Sequence, residues 1–230
     1  MFVNTGASTT VPSGLVELEY IESTGTQYID TGLKPTQNYS ITIKCQSTGT
    51  SSNTYAGCDT NWQNTGFFVG VNVFEFGNAS TTSVQNYGEN PIVLTLDKTG
   101  GYKDGVKTWN NASTATFQTV SNLTLFALNR NGTIREYLTG KIYYCKIYDN
   151  NTLVRDFIPA KRISDGKCGL WDKVNFKFYT DESGGNFTAG AEKTAIAAIG
   201  TPIEYLEATG TQYINTKIPA NTVSKVITDF

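Results

Sequence analysis

Residues 18–31 read LEYIESTGTQYIDT, and residues 203–216 read IEYLEATGTQYINT. The offset is 185 with no gap; ten of the 14 positions are identical, and the other four exchange Leu for Ile, Ile for Leu, Ser for Ala and Asp for Asn. Chance does not produce such a match. Solenoid units run to about 50 residues, so this period is that of a whole domain. The chain is expected to hold one complete domain followed by the opening of a second copy. About 30 residues cannot bury a core alone. Residues 202–230 must therefore pack on the first domain, be completed by another chain, or mark where a longer tandem array was cut, which is the favoured reading. The expected division is a flexible leader or attachment segment over 1–14, a domain over 15–190, a linker over 191–201 and the truncated second copy over 202–230.

Inside the first copy the apolar residues alternate with period two. Ile41, Ile43 and Cys45 oppose Ser40, Thr42 and Lys44, which is the pattern of a half-buried strand. Residues 67–76 read as one strand with Val69, Val71 and Val73 on one face and Phe68, Asn72, Phe74 and Phe76 on the other. Ile92, Leu94 and Leu96 alternate next. Asp104-Gly105 between two short runs predicts a hairpin, because a type I′ turn needs positive φ at both central positions. Residues 123–128 form a strongly apolar strand. Residues 141–148 are the strongest β run, apolar or aromatic on both faces, and so are placed at the centre of a sheet. Residues 149–151 turn the chain, 153–158 pair back, and 168–171 and 177–180 are the last strands. The Ala-rich stretch 189–199 reads as a short helix or an inter-domain linker. About eleven to fourteen short strands at sandwich spacing predict an all-β fold, a two-sheet antiparallel β-sandwich, with a barrel as the alternative.

Composition removes whole classes of function. Net charge is −2 with a sequence pI near 5.2, so no electrostatic footprint for nucleic acid exists. No stretch approaches the roughly 20 apolar residues of a membrane span, so membrane insertion is not expected. Met1-Phe2-Val3-Asn4-Thr5 lacks the basic and apolar regions of a signal peptide. Histidine is absent, which removes Ser-His-Asp and Cys-His catalysis, His general bases and His-ligated metals. Cys45, Cys58, Cys145 and Cys168 show no CxxC spacing, so zinc is not expected. Three disulfide connectivities are open to them; the favoured reading is four free thiols buried in strands.

The run Gly140 to Asp149, followed by Leu153-Val154-Arg155-Asp156-Phe157-Ile158-Pro159-Ala160, Gly169-Leu170-Trp171-Asp172 and Phe178-Tyr179-Thr180, resembles the concanavalin A-like, laminin-G-like jelly-roll modules of phage structural proteins and gut-bacterial surface proteins. The opening block 19–31 and the Asp104-Gly105 turn resemble theirs as well. The resemblance covers residues 15–190 and implies two curved antiparallel sheets, a virion or extracellular location, and partners that are glycans, host cell-surface receptors or other virion or surface-protein subunits. It implies fold more than ligand, since such modules include lectins, glycosidases, protein binders and inert spacers.

Three chemistries are weighed on that fold. A retaining glycosidase needs two carboxyls about 5.5 Å apart, a spacing that residues i and i+2 of a strand offer. Glu17, Glu19 and Glu22 suggest it, but the order of residue types differs from that of the enzymes, and Glu19 and Glu22 recur as Glu204 and Glu207 beside a turn, so a structural role and no enzyme activity is the reading. A sugar site needs an aromatic plate with amide and carboxylate partners. Asp59, Asn61 and Trp62 have those types in one loop, and Trp109 beside Asn110-Asn111 forms a second cluster; Trp171 is read as core packing. No cofactor is expected. Calcium is open through Asp30, Asp59 and Asp172, although an isolated Asp near a turn is usually a turn former.

Overall fold

The computed structural model describes residues 11–49, 53–61, 65–82 and 90–193. The second copy of the repeat, residue 62, most of the leader and most of the Ala-rich stretch lie outside them. The described residues belong to one compact unit. They form nineteen strands and no helix, arranged as two large sheets that pack face to face, so the domain is a β-sandwich.

The larger sheet runs in the order Val106–Asn110, Gly100–Lys103, Ile92–Asp97, Tyr39–Ser47, Thr139–Asp149, Thr152–Arg162, Cys168–Asp172 and Lys177–Thr180. Ile21–Thr24 pairs with one end of Thr139–Asp149, Thr188–Ala189 pairs with Ile21–Thr24, and Leu15–Glu17 pairs with Thr152–Arg162. The smaller sheet runs Thr133–Arg135, Leu128–Arg130, Thr54–Asp59, Gly66–Gly70, Phe74–Gly77 and Ala79–Thr81, with Thr124–Leu125 bridging Thr54–Asp59 to Ile29–Asp30. Pairing is antiparallel except between Leu128–Arg130 and Thr54–Asp59, which run parallel.

The predicted alternation sets the core. Ile41, Ile43, Cys45, Leu94, Leu96, Ile142, Cys145 and Ile147 of the large sheet are fully buried against Tyr55, Phe67, Val69, Phe74 and Leu125 of the other. All four cysteines are free and buried. The Asp104-Gly105 turn forms as predicted, with φ of 49° and 79° and Lys103 paired to Val106. Asn150 and Asn151 make a second such turn, at 47° and 63°, between Asp149 and Thr152.

Two strands predicted as single are broken. Residues 67–76 fold into a hairpin: Gly70 N donates to Val73 O at 2.8 Å, and Val69 pairs with Phe74. Phe67 therefore faces Phe76 across the turn, ring centroids 5.8 Å apart, and apolar residues buried on both sides obscure the reversal in sequence. Residues 123–128 break at Phe126, which is buried at φ 67°, an unusual backbone for a bulky residue. Such interruptions raise the strand count above the predicted eleven to fourteen.

The repeated block fastens the domain shut. Gly25 turns the chain at φ 103°. Gln27 Oε1 accepts from Thr24 N and Ser23 Oγ, each at 2.9 Å, and its Nε2 donates to Asn186 O at 3.2 Å. Tyr28 N donates to Asp181 Oδ1 at 3.0 Å. Glu19 N donates to Ala191 O and Gly190 N to Tyr20 O. The opening of the domain is thus held by its closing segment, and the identical positions Glu19, Tyr20, Glu22, Gln27 and Tyr28 make that closure.

Candidate functional site

Of the sequence-predicted residues that the structure describes, Asp59 ends a strand of the smaller sheet and Trp109 lies on a strand of the larger one. Asp59 is turned into the protein: its side chain is fully buried, and Arg130 Nε donates to Oδ1 at 2.9 Å while Nη2 donates to Oδ2 at 2.7 Å. A bidentate pair of this kind occupies the acceptor positions of the carboxylate. Burial of Glu136 beside Arg130 holds its carboxyl above the usual range, although the guanidinium opposes that rise. Asn61 is exposed, and Trp62 lies outside the described residues. Trp109 is half-buried and serves packing. Its strand partner Gly101 has no side chain, and a Cβ there would meet the Phe74 ring at 2.2 Å. Phe74 lies over that gap and stacks on Trp109 with centroids 6.4 Å apart and planes 12° from parallel.

The calcium candidates are likewise engaged. Asp30 accepts from Gly32 N at 2.7 Å and Asn122 Nδ2 at 3.0 Å. Asp172 is fully buried and accepts from Asp156 N, Val174 N and Asn175 Nδ2, with Arg155 at 3.5 Å. Among the described residues no three acidic or thiol side chains converge as metal ligands. Of the glutamates considered for catalysis, Glu17 pairs with Lys193 at 2.7 Å and Glu22 accepts from Thr48 at 3.5 Å.

The structure instead assembles an open groove of about 550 Å³ on the solvent face of the large sheet. Its spine is the Thr139–Asp149 strand. There Ile142, Cys145 and Ile147 point inward, and Tyr144, Lys146 and Tyr148 are half-buried on the outer face. At the strand rise these three side chains span roughly 13 Å. Sequence reading took this run as apolar on both faces; the two adjacent tyrosines hid the shift of phase, which falls at an irregularity between Ile142 and Tyr144. The Tyr-x-Lys-x-Tyr alternation was the available signal.

Neighbouring strands complete the groove. Lys146 lies across from Thr42 on one side and Asp156 on the other. Asp156 is 9% exposed, and its Oδ2 meets Lys173 Nζ at 2.8 Å. Its Oδ1 is buried without a hydrogen-bond partner. Ile158 forms an apolar part of the floor. The row continues through Trp171 and Phe178, which pair across strands on the same outer face. Trp171 is therefore not in the main core: Leu170 faces inward, and the next residue faces out to pack with Val11, Leu15 and Phe178. At the other end Tyr143 Oη donates to Gln46 Oε1 at 3.0 Å, and Lys44 sits 5.3 Å above the Tyr143 ring. Burial holds the Tyr143 and Tyr144 phenols above their ordinary values, so both stay neutral at physiological pH.

A second, more polar cleft of about 390 Å³ lies beside Tyr28, Asp30, Arg155 and Glu182. Burial, then the Glu182 charge, raises the Tyr28 phenol. Arg155 donates to Val154 O and Thr31 O, each at 2.9 Å, so its guanidinium is a structural strut. No family model matches the chain, and no curated protein matches it.

Proposed function

We propose that the chain is a non-enzymatic binding module of a phage virion or bacterial surface protein, and that it attaches to a glycan or host-surface receptor through the outer groove of its large sheet. The observation that carries this reading is the Tyr144–Lys146–Tyr148 face with Asp156 beside it. Small-molecule sites combine aromatic and apolar walls with a few placed polar groups, and the groove falls in the usual size range. The flat faces of tyrosines suit the apolar side of a pyranose, while Asp156, Lys146 and Thr42 suit its hydroxyls. The concanavalin A-like resemblance and the domain-length repeat support a surface-exposed module used in series. The test is binding of the full chain to a broad glycan array, with Tyr144→Ala beside the wild type. Loss of binding of tenfold or more with unchanged thermal unfolding supports the reading; no glycan bound, or binding indifferent to Tyr144, overturns it.

A hydrolase or lyase of the same fold is the competing reading. The polar cleft favours it, since Asp30 and Glu182 both raise the Tyr28 phenol there. The hydrogen bonds that hold both Asp30 oxygens weigh against it. Turnover of bound oligosaccharides, abolished by Glu182→Gln, is the result that favours it.

A further inference from the structure

We infer that the ligand of the outer groove is an anionic saccharide, whose carboxylate or sulfate group is received by Lys146. This rests on the glycan-binding reading and adds the chemical class. The argument is one of charge accounting. Three lysines and one acid line the groove: Lys146, Lys173, Lys193 and Asp156. Lys173 is neutralised by Asp156 at 2.8 Å and Lys193 by Glu17 at 2.7 Å. Lys146 forms no ion pair among the described residues, although Asp156 lies directly across from it. It stands between Tyr144 and Tyr148 on one strand face. Lys44, paired across from Tyr144, adds a second cation that has no carboxylate within salt-bridge distance among the described residues. A chain of net charge −2 thus presents a locally positive groove.

Asp156 does not spoil the site for an anion. Lys173 compensates its charge, and its Oδ1 is a buried acceptor without a hydrogen-bond partner. That atom is buried beneath the groove surface, so a sugar hydroxyl that reaches Asp156 donates to Oδ2, which keeps a lone pair beside Lys173. A saccharide lying along the strand would meet an aromatic face, a cation, an aromatic face, and one acceptor to the side. The cation sets the class: a neutral saccharide gains nothing from an uncompensated ammonium, whereas an anionic one gains a charge-assisted hydrogen bond.

The experiment uses the full chain on an array holding neutral glycans together with uronate-, sialate- and sulfate-bearing ones, followed by titration of the best ligand at 50 and 300 mM NaCl. The expected result is that anionic glycans dominate, that binding weakens at the higher salt, that Lys146→Gln costs tenfold or more, and that Lys146→Arg restores most of it. Thermal unfolding of both variants should match the wild type, because Lys146 is half exposed. Uronate or sialate binding identifies a carboxylate as the anion; sulfated glycans alone identify a sulfate. Neutral glycans bound equally well, with Lys146→Gln unchanged and Tyr144→Ala defective, would overturn the anionic class and leave the glycan-binding reading standing. No glycan bound at all would overturn both.

Discussion

Asp59 and Asp156 are both buried aspartates on sandwich strands with a basic partner, yet they are finished differently. Arg130 closes on Asp59 with three contacts of 3.0 Å or less and leaves its side chain no exposure. Lys173 reaches only one oxygen of Asp156 and leaves the other without a hydrogen-bond partner at the wall of an open groove. A saturated acid holds a fold together; Asp156 is held by one lysine and keeps slight exposure at a groove, which on the proposed binding reading offers a ligand its Oδ2. The same contrast separates the aromatics. Trp109 is stacked on Phe74, whereas Tyr144 and Tyr148 face outward from a strand whose other side is core.

The comparison breaks most sharply at Asp59. Replacing it with alanine removes the bidentate partner of Arg130 and leaves only Glu136, at 3.9 Å. Removing one member of a buried pair costs about 3–5 kcal/mol; because Arg130 keeps 21% exposure, the loss should sit at the lower end, near 3 kcal/mol. Chemical denaturation of Asp59→Ala measures it, and a stability equal to wild type would mean that Asp59 is free for a ligand after all. Trp109→Ala comes next. A fully buried Trp→Ala costs about 3–5 kcal/mol; Trp109 is half-buried, so about 2 kcal/mol is expected, with glycan binding untouched. Binding lost without destabilisation would return Trp109 to the site. Tyr144→Ala should show the opposite signature: stability lowered by under about 1 kcal/mol and binding by at least 1.4, the equivalent of tenfold.

The smallest effect near neutral pH concerns the thiols. Burial pushes Cys58 up to about 12, and it raises Cys45 and Cys145 as well. Below pH 9 the folded and unfolded chains both hold these protons, so stability is flat in this respect. Above it the unfolded chain releases them first, and stability should fall as pH rises from about 9 towards about 12. Urea midpoints between pH 8 and 10.5 test this, with Cys58→Ser as the control whose slope should be shallower. Equal slopes would argue against a thiol origin.

Legibility in the sequence followed the kind of interaction. Alternation placed Ile41, Ile43, Leu94 and Leu96 in the core, and Asp104-Gly105 set its hairpin, because both depend on neighbours within a few residues. The breaks at Gly70 and Phe126 were hidden, since apolar residues on both sides of the chain erase the period that marks a strand's ends. The role of Asp59 was hidden for a related reason. Asp59, Asn61 and Trp62 looked like a sugar site because residue types near in sequence were grouped together. Arg130, 71 positions away, decides the role of Asp59, and nothing local to Asp59 announces it.

The sandwich, the lack of histidine chemistry and the recurrence of a 14-residue block at an offset of 185 are legible in composition and local pattern. The folded chain adds that residues 18–31 fasten the domain's opening to its closing segment, through Gln27 to Asn186 and Tyr28 to Asp181. It alone decided that Tyr144, Lys146, Asp156 and Lys173 share one open face. Sheet register brings together residues from separate strands, and register is fixed by the packing of the buried face rather than by the exposed side chains it happens to align.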